Sequence, residues 1–202
     1  MSGSSTSLLV DDPPLLAILD EVPLAVWFAF GVDLDKYIEQ VHAHNKRTGR
    51  KTFIFVIVHS VEDVRRGLLP ISLAYSEQGR VGIEAGGHGR ADAPPLFVLL
   101  KAVLKEMQSK SDGGPLVLAA GGISTGARIA SLLTMGADGV VLGTRFLFTP
   151  ECEYSDAQKK ALVQTDLGAT VRTITYDEVG RTNGWPPNFD GRAISNQVTT
   201  DY

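Results

Sequence analysis

Short, nearly unbroken apolar runs, each stopped by glycine or a polar cluster, constrain this chain more than any other feature. They lie at residues 24–30 (LAVWFAF), 52–58 (TFIFVIV), 115–120 (PLVLAA) and 138–142 (DGVVL). Runs of this length without polar alternation suit strands buried on both faces. Their Val, Ile and Phe content fits a pleated, packed surface. Between them stand stretches with helical spacing. Residues 33–46 carry Leu34, Tyr37, Ile38 and Val41 on one face, with Asp33 as the N-cap. Residues 61–69 follow Ser60, with Glu62 and Asp63 in the first turn. Residues 96–107 open after Pro94 and Pro95, and a further helix capped by Ser124 or Thr125 runs to Met135 and is closed by Gly136. A last helix spans residues 155–164. Strand followed by helix, repeated, is the rhythm of βαβ units and a parallel sheet. One further strand belongs between residues 70 and 90. Residues 71–75 and 81–85 both qualify, and polar residues 76–80 with Gly79 separate them. The tail beyond residue 165 reads as irregular.

Charge and cysteine content remove several classes. The net charge of −4 gives no footprint for nucleic acid. The basic run from Lys46 to Lys51 reads as a solvated loop. Cys152 is the only cysteine, so neither an internal disulfide nor a cysteine metal site is available. The polar start, Met1 to Ser7, has no basic segment leading into an apolar one, and no apolar run approaches the ~20 residues that span a bilayer. The expectation is a cytoplasmic protein without a membrane partner: a disordered segment over residues 1–14 and one domain over 15–202.

Two glycine-rich strand ends carry the strongest chemical signal. Gly121 and Gly122 end one strand; 21 residues on, Val141, Leu142, Gly143 and Thr144 end the next, at the matching positions Gly122 and Gly143. Glycine leaves peptide N–H groups uncovered, and a following helix start adds partial positive charge, so both ends suit a phosphate. The loops after the last two strands of (β/α)8 enzymes frequently form such a site. A third segment, Glu84 to Gly89, presents His88 just past Gly86 and Gly87, on an exposed bend. Histidine exchanges protons near neutral pH; an ordinary surface histidine is the plain alternative. His59, at a strand end, is either mouth-facing or a loop residue. His42 and His44 read as surface residues of a helix.

The series EAGGH (84–88), AAGGI (119–123) and GADGVVLGTRF (136–146), in that order, resembles the nitronate monooxygenase (2-nitropropane dioxygenase) family. The sister FMN-dependent enoyl-acyl-carrier-protein reductases carry a similar series. The tail Gly184-Trp185-Pro186, with Asp190-Gly191-Arg192 through Asn196, resembles the C-terminal end of fungal-type members. The resemblance covers roughly residues 15–198. It implies an α/β fold of TIM-barrel type with FMN across the C-terminal mouth. Gly122, Val141, Leu142, Gly143 and Thr144 match positions that hold the phosphate and ribityl chain. Gly86 matches another cofactor contact, with Gly87 and Gly121 as neighbours, and His88 matches the active-site histidine. The implied reaction oxidises an alkyl nitronate with O2 to a carbonyl compound and nitrite. His88 acts near the nitro group or removes the α-proton of a nitroalkane, and no metal takes part.

The match also shows departures. The five strands correspond to the fourth to eighth of an eight-stranded barrel, so the (β/α)8 fold is incomplete. Val81-Gly82 stands where the family has Gln-Gly, Gln78-Gly79 being out of register, and Ile57 stands where a mouth-facing Gln is usual. An open sheet exposes its edges, which implies a homo-oligomer or a partner covering the barrel edge. The alternatives are an FMN-dependent enoyl reductase, against which the Trp185-Pro186 tail speaks, and a non-catalytic FMN- or phosphate-binding remnant kept for interaction.

Overall fold

Each apolar run becomes a strand of one parallel sheet. The computed structural model describes residues 13–30, 34–67, 76–108, 115–166 and 168–201. Along the chain these are α1 (Pro13–Asp20), β1 (Ala25–Phe28), α2 (Leu34–Thr48), β2 (Phe53–Val58), α3 (Val61–Gly67), β3 (Ser76–Val81), β4 (Gly87–Arg90), α4 (Leu96–Gln108), β5 (Val117–Ala120), α5 (Gly126–Thr134) and β6 (Gly139–Val141). There follow a 3-10 turn (Thr144–Phe148), α6 (Asp156–Val163), β7 (Thr170–Thr173), α7 (Thr175–Gly180), β8 (Phe189–Ile194) and α8 (Gln197–Asp201). The parallel sheet has the order β1-β2-β3-β5-β6, so each strand lies beside its predecessor and the order never reverses.

Right-handed crossovers between successive neighbours put every connecting helix on the same face. The burial along β2 shows it: Ile54, Val56 and Val58 are buried and pack with Leu15, Leu19, Ile38, Val41, Val64, Leu99 and Val103 of α1 to α4. A second cluster joins Leu96, Leu100 and Leu132 to Val117, Ala119, Ile123 and Ala137. On the opposite face Trp27 stacks on Phe55, with ring centroids 4.8 Å apart and planes at 4°. Trp27 remains 44% exposed there. β1 and β6 form the two edges.

Sequence signals for helix ends hold. Thr125 caps α5 by accepting from Arg128 N–H, and Ser155 with Gln158 closes a capping box on α6. Helix α1 opens at Pro13, inside the segment expected to be disordered; residues 1–12 lie outside the described residues, as do Asp33 and residues 68–69.

Three expectations need correction. The strand expected between residues 70 and 90 is the polar segment Ser76–Val81, and residues 82–85 form a turn; residues 71–75 lie outside the described residues. β3 is a central strand whose backbone pairs with both β2 and β5, and ladder bonds on two sides hold it despite its composition. Gly82 ends it because α4 starts against it: an added Cβ would lie 2.6 Å from Leu96 N. Second, the tail is ordered. β4, β8 and β7 form an antiparallel sheet with β8 central. Its strands escaped notice because Arg172 and Arg192 break their apolar pattern. Third, His44 is buried, at 2% exposure, and accepts from Arg47 through Nδ1 at 3.2 Å. It continues the apolar stripe of Ile38 and Val41 along α2. His42 is half-buried, and the start of the basic run, Lys46 and Arg47, ends α2 instead of forming a loop.

Candidate functional site

Parallel strands deliver all their C-terminal loops to one edge of the sheet. The loop Gly82–Gly86 follows β3, Gly121 and Gly122 follow β5, and Gly143 and Thr144 follow β6. Ala120 pairs with Val141, and Gly122 and Gly143 each stand two residues past that pair. The loops touch: an added Cβ on Gly86 would lie 2.9 Å from Thr144 Oγ1, and one on Gly122 would lie 2.9 Å from Glu84 Cβ. At Gly87 and Gly143 an added Cβ would meet nothing within 4 Å. Among the described residues, the peptide N–H groups of Gly86, Gly122, Gly143 and Thr144 have no hydrogen-bond partner. The α5 and 3-10 N-termini point their free N–H ends to the same edge, which suits an anion. Val140 and Leu142 pack their side chains on the second core cluster, so Leu142 offers a ligand its main chain, while Val141, between them in the strand alternation, is half-buried on the opposite face.

Glu84, in the same motif, has a structural task. Its Oε2 accepts from Leu96 N–H at 2.9 Å, capping α4, and Arg128 donates to its Oε1 at 3.3 Å.

His88 is not on an exposed bend. It lies in β4 opposite Gly191 of β8. Its Nε2 is 2.9 Å from Asp177 Oδ2, and its ring stacks on Trp185, with centroids 3.6 Å apart and planes at 7°. Trp185 Nε1 and Thr182 Oγ1 donate to the other carboxylate oxygen, at 3.1 and 2.8 Å. Gly191 leaves room for this arrangement, since an added Cβ would lie 3.4 Å from His88 Nε2. Burial pulls the Asp177 carboxyl up, but hydrogen bonds from His88, Thr182 and Trp185 outweigh it and hold the group below its ordinary value. No sequence signal marked Asp177, which sits in a short polar helix 89 residues from His88. Trp185 was visible only as part of a tail motif.

Arg172 organises the loop that carries His88. Its guanidinium donates to the carbonyl oxygens of Asp190 (2.6 Å), Ala85 (2.7 Å), Gly87 and Gly89 (both 3.2 Å), with Ile83 at 3.5 Å. Arg192 donates to Ile83 O at 3.0 Å. In a trans peptide the N–H points away from its C=O. With Ala85 C=O turned to Arg172, the Gly86 N–H faces the other way.

His59 ends β2 and lies within an aromatic cluster, 5.3 Å edge-to-face from Phe189, with Phe30 at 6.4 Å. Phe30 in turn meets Trp185 edge-on at 5.3 Å. His59 is 3% exposed and its Nε2 has no hydrogen-bond partner. Burial pushes its pKa down to about 4, from an ordinary 6.5. Between those values the unfolded chain binds a proton that the folded chain refuses, so stability is lost as pH falls from 6.5 towards 4. The expected loss is about 3 kcal/mol. Urea midpoints measured across this range should fall steeply for the native chain and less for His59→Leu; parallel curves would show that His59 contributes nothing.

Comparison with known proteins adds the following. A family model described as nitronate monooxygenase matches residues 15–183. A nitronate monooxygenase of Neurospora crassa is 29% identical over 209 aligned positions, which take in 96% of this chain and 53% of that protein. One from Pseudomonas aeruginosa is 31% identical over 198 positions, again 96% of this chain and 53% of that protein. Among solved structures, a nitroalkane oxidase from Streptomyces ansochromogenes superposes with a TM-score of 0.70 at 29% identity, covering 93% of this chain and 49% of that one. FabK from Thermotoga maritima gives 0.65 at 27% identity, covering 90% and 49%. The chain thus spans about half the length of the relatives it matches.

Proposed function

The chain belongs to the nitronate monooxygenase family, and we propose that it forms the FMN-phosphate and histidine side of an enzyme that oxidises alkyl nitronates with O2 to a carbonyl compound and nitrite. The observation that carries this reading is the convergence of the loops after β3, β5 and β6, with unpartnered N–H groups at Gly86, Gly122, Gly143 and Thr144. The sequential order of five parallel strands supports a barrel wall, matching strands four to eight of a TIM barrel. In the working protein the edges β1 and β6 are covered by further strands, a second copy or a partner. Among the described residues no helix is long and apolar enough to cross a membrane, and we place the protein in the cytoplasm.

In this mechanism the four N–H groups hold the FMN phosphate. Gly87, open on its Cβ side, would permit close approach of the cofactor, Gly121 makes room for the turn after β3, and the main chain of Val141 and Leu142 would line the ribityl chain. Bound FMN supplies the electron transfer between the nitronate and O2. His88 does the proton work. As a neutral imidazole it takes the α-proton of a nitroalkane; protonated, it holds the nitronate anion by a charge-assisted hydrogen bond. Trp185 covers one face of its ring and keeps water from that side.

The FabK likeness favours one second reading, an FMN-dependent enoyl reductase. Purified protein supplied with FMN should consume O2 and release nitrite with an alkyl nitronate. Oxidation of NADH with an enoyl thioester, in place of that activity, would select the reductase. Bound flavin without either activity would select a binding remnant.

A further inference from the structure

We infer that Asp177 is the positioning residue for His88, that it holds the proton on Nε2, and that Nδ1 is the nitrogen that takes the substrate's α-proton. This rests on the monooxygenase reading above for the identity of the substrate. The geometry of the pair does not depend on it.

The carboxylate is built to face one way. Asp177 is 6% exposed, and its Oδ1 is occupied by Thr182 and Trp185, so Oδ2 alone remains for His88. An ionised carboxylate only accepts, so the 2.9 Å contact requires a proton on His88 Nε2. In the neutral ring that leaves the lone pair on Nδ1. Nδ1 makes no hydrogen bond among the described residues, and the side chain keeps 23% exposure. The Nε2–Asp177 contact selects this orientation of the ring, Trp185 supports its plane by stacking, and Gly191 leaves the space it occupies. In the step itself, the substrate's C–H bond breaks and an N–H bond forms at Nδ1. The electron pair stays on the substrate as the nitronate, and the imidazolium is stabilised by Asp177.

The test exploits the difference between asparagine and alanine. Asp177→Asn keeps the shape and the acceptor for Thr182 and Trp185, but its amide NH2 faces Nε2 and forces the proton to Nδ1. Asp177→Ala loses those bonds and is the less stable variant, yet leaves the tautomer free. Turnover of a nitroalkane should therefore fall roughly 100-fold in Asp177→Asn and less in Asp177→Ala. Turnover of a preformed nitronate, which needs the ring as a donor but not as a base, should fall less than nitroalkane turnover in Asp177→Asn. A merely structural Asp177 would give the opposite order, following stability, and equal losses on both substrates. Independently of activity, 15N spectra of histidine-labelled protein, recorded with the ring neutral, should show Nε2–H in the native chain and Nδ1–H in Asp177→Asn. An Nδ1–H signal in the native chain overturns the inference. A native chain that turns over neither substrate overturns the monooxygenase reading, and the spectra still decide the pair.

Discussion

Replacing Arg172 by methionine should cost about 3 kcal/mol, because several part-buried carbonyls lose a charged donor, at about 1 kcal/mol each. Methionine fills similar volume, so the loss isolates the hydrogen bonds. Burial and the nearby Arg192 pull the Arg172 guanidinium below its ordinary value, though an arginine remains charged. Its donors reach Ala85 in the turn after β3, Gly87 and Gly89 in β4, and Asp190 in β8. Without it the segment 83–89 has no common anchor, and the Gly86 N–H and the His88 ring lose their fixed directions together. Chemical unfolding should show a lower midpoint, and flavin affinity should fall in parallel. Arg172→Lys should rescue only part of the loss, since an ammonium group cannot reach the two sides of the loop at once. An unchanged midpoint in Arg172→Met would mean that strand pairing alone fixes the loop.

The largest effect on chemistry should come from His88. His88→Gln keeps an amide N–H for Asp177 but has no basic nitrogen to receive a proton; His88→Ala removes both. Each should lower nitroalkane turnover by about 10²–10⁴-fold, the usual contribution of a positioned base. FMN binding should persist in both, since the ring lies with Asp177 and Trp185 and none of the four phosphate-directed N–H groups belongs to it. Steady-state O2 uptake with matched flavin occupancy measures this. Turnover equal to that of the native chain in both variants would remove the catalytic assignment.

The extent to which these features could be read in the sequence varies with the range of the interaction. The runs around β1, β2, β5 and β6 are legible because their apolar residues are uninterrupted, although burial on both faces does not follow: β2 buries one face, and β1 leaves Trp27 exposed. The cap Thr125 is legible because a helix end is satisfied within a few residues. β3 is not, since its place in the sheet comes from two neighbouring backbones and its own side chains carry no pattern. The antiparallel sheet of β4, β7 and β8 stays hidden for a related reason: Arg172 and Arg192 turn inward to carbonyls that lie more than eighty residues away in the chain. The glycines of the candidate site announce themselves by clustering at strand ends. His88 does so only through the motif series, and Asp177 not at all. A single carboxylate in a polar helix acquires meaning only when the fold brings a histidine 2.9 Å from it.

The phosphate is the test of the central claim. Titration of the purified chain with FMN and with riboflavin, followed by flavin absorbance, compares ligands that differ only in that group. If the N–H groups after β5 and β6 converge on it, FMN should bind roughly 10²-fold more tightly, the yield of a few charge-assisted bonds. Gly143→Val should bring FMN down towards riboflavin without unfolding the chain, because a Cβ there would meet no protein atom within 4 Å. Equal affinity for the two flavins, or no effect of Gly143→Val, would contradict the account.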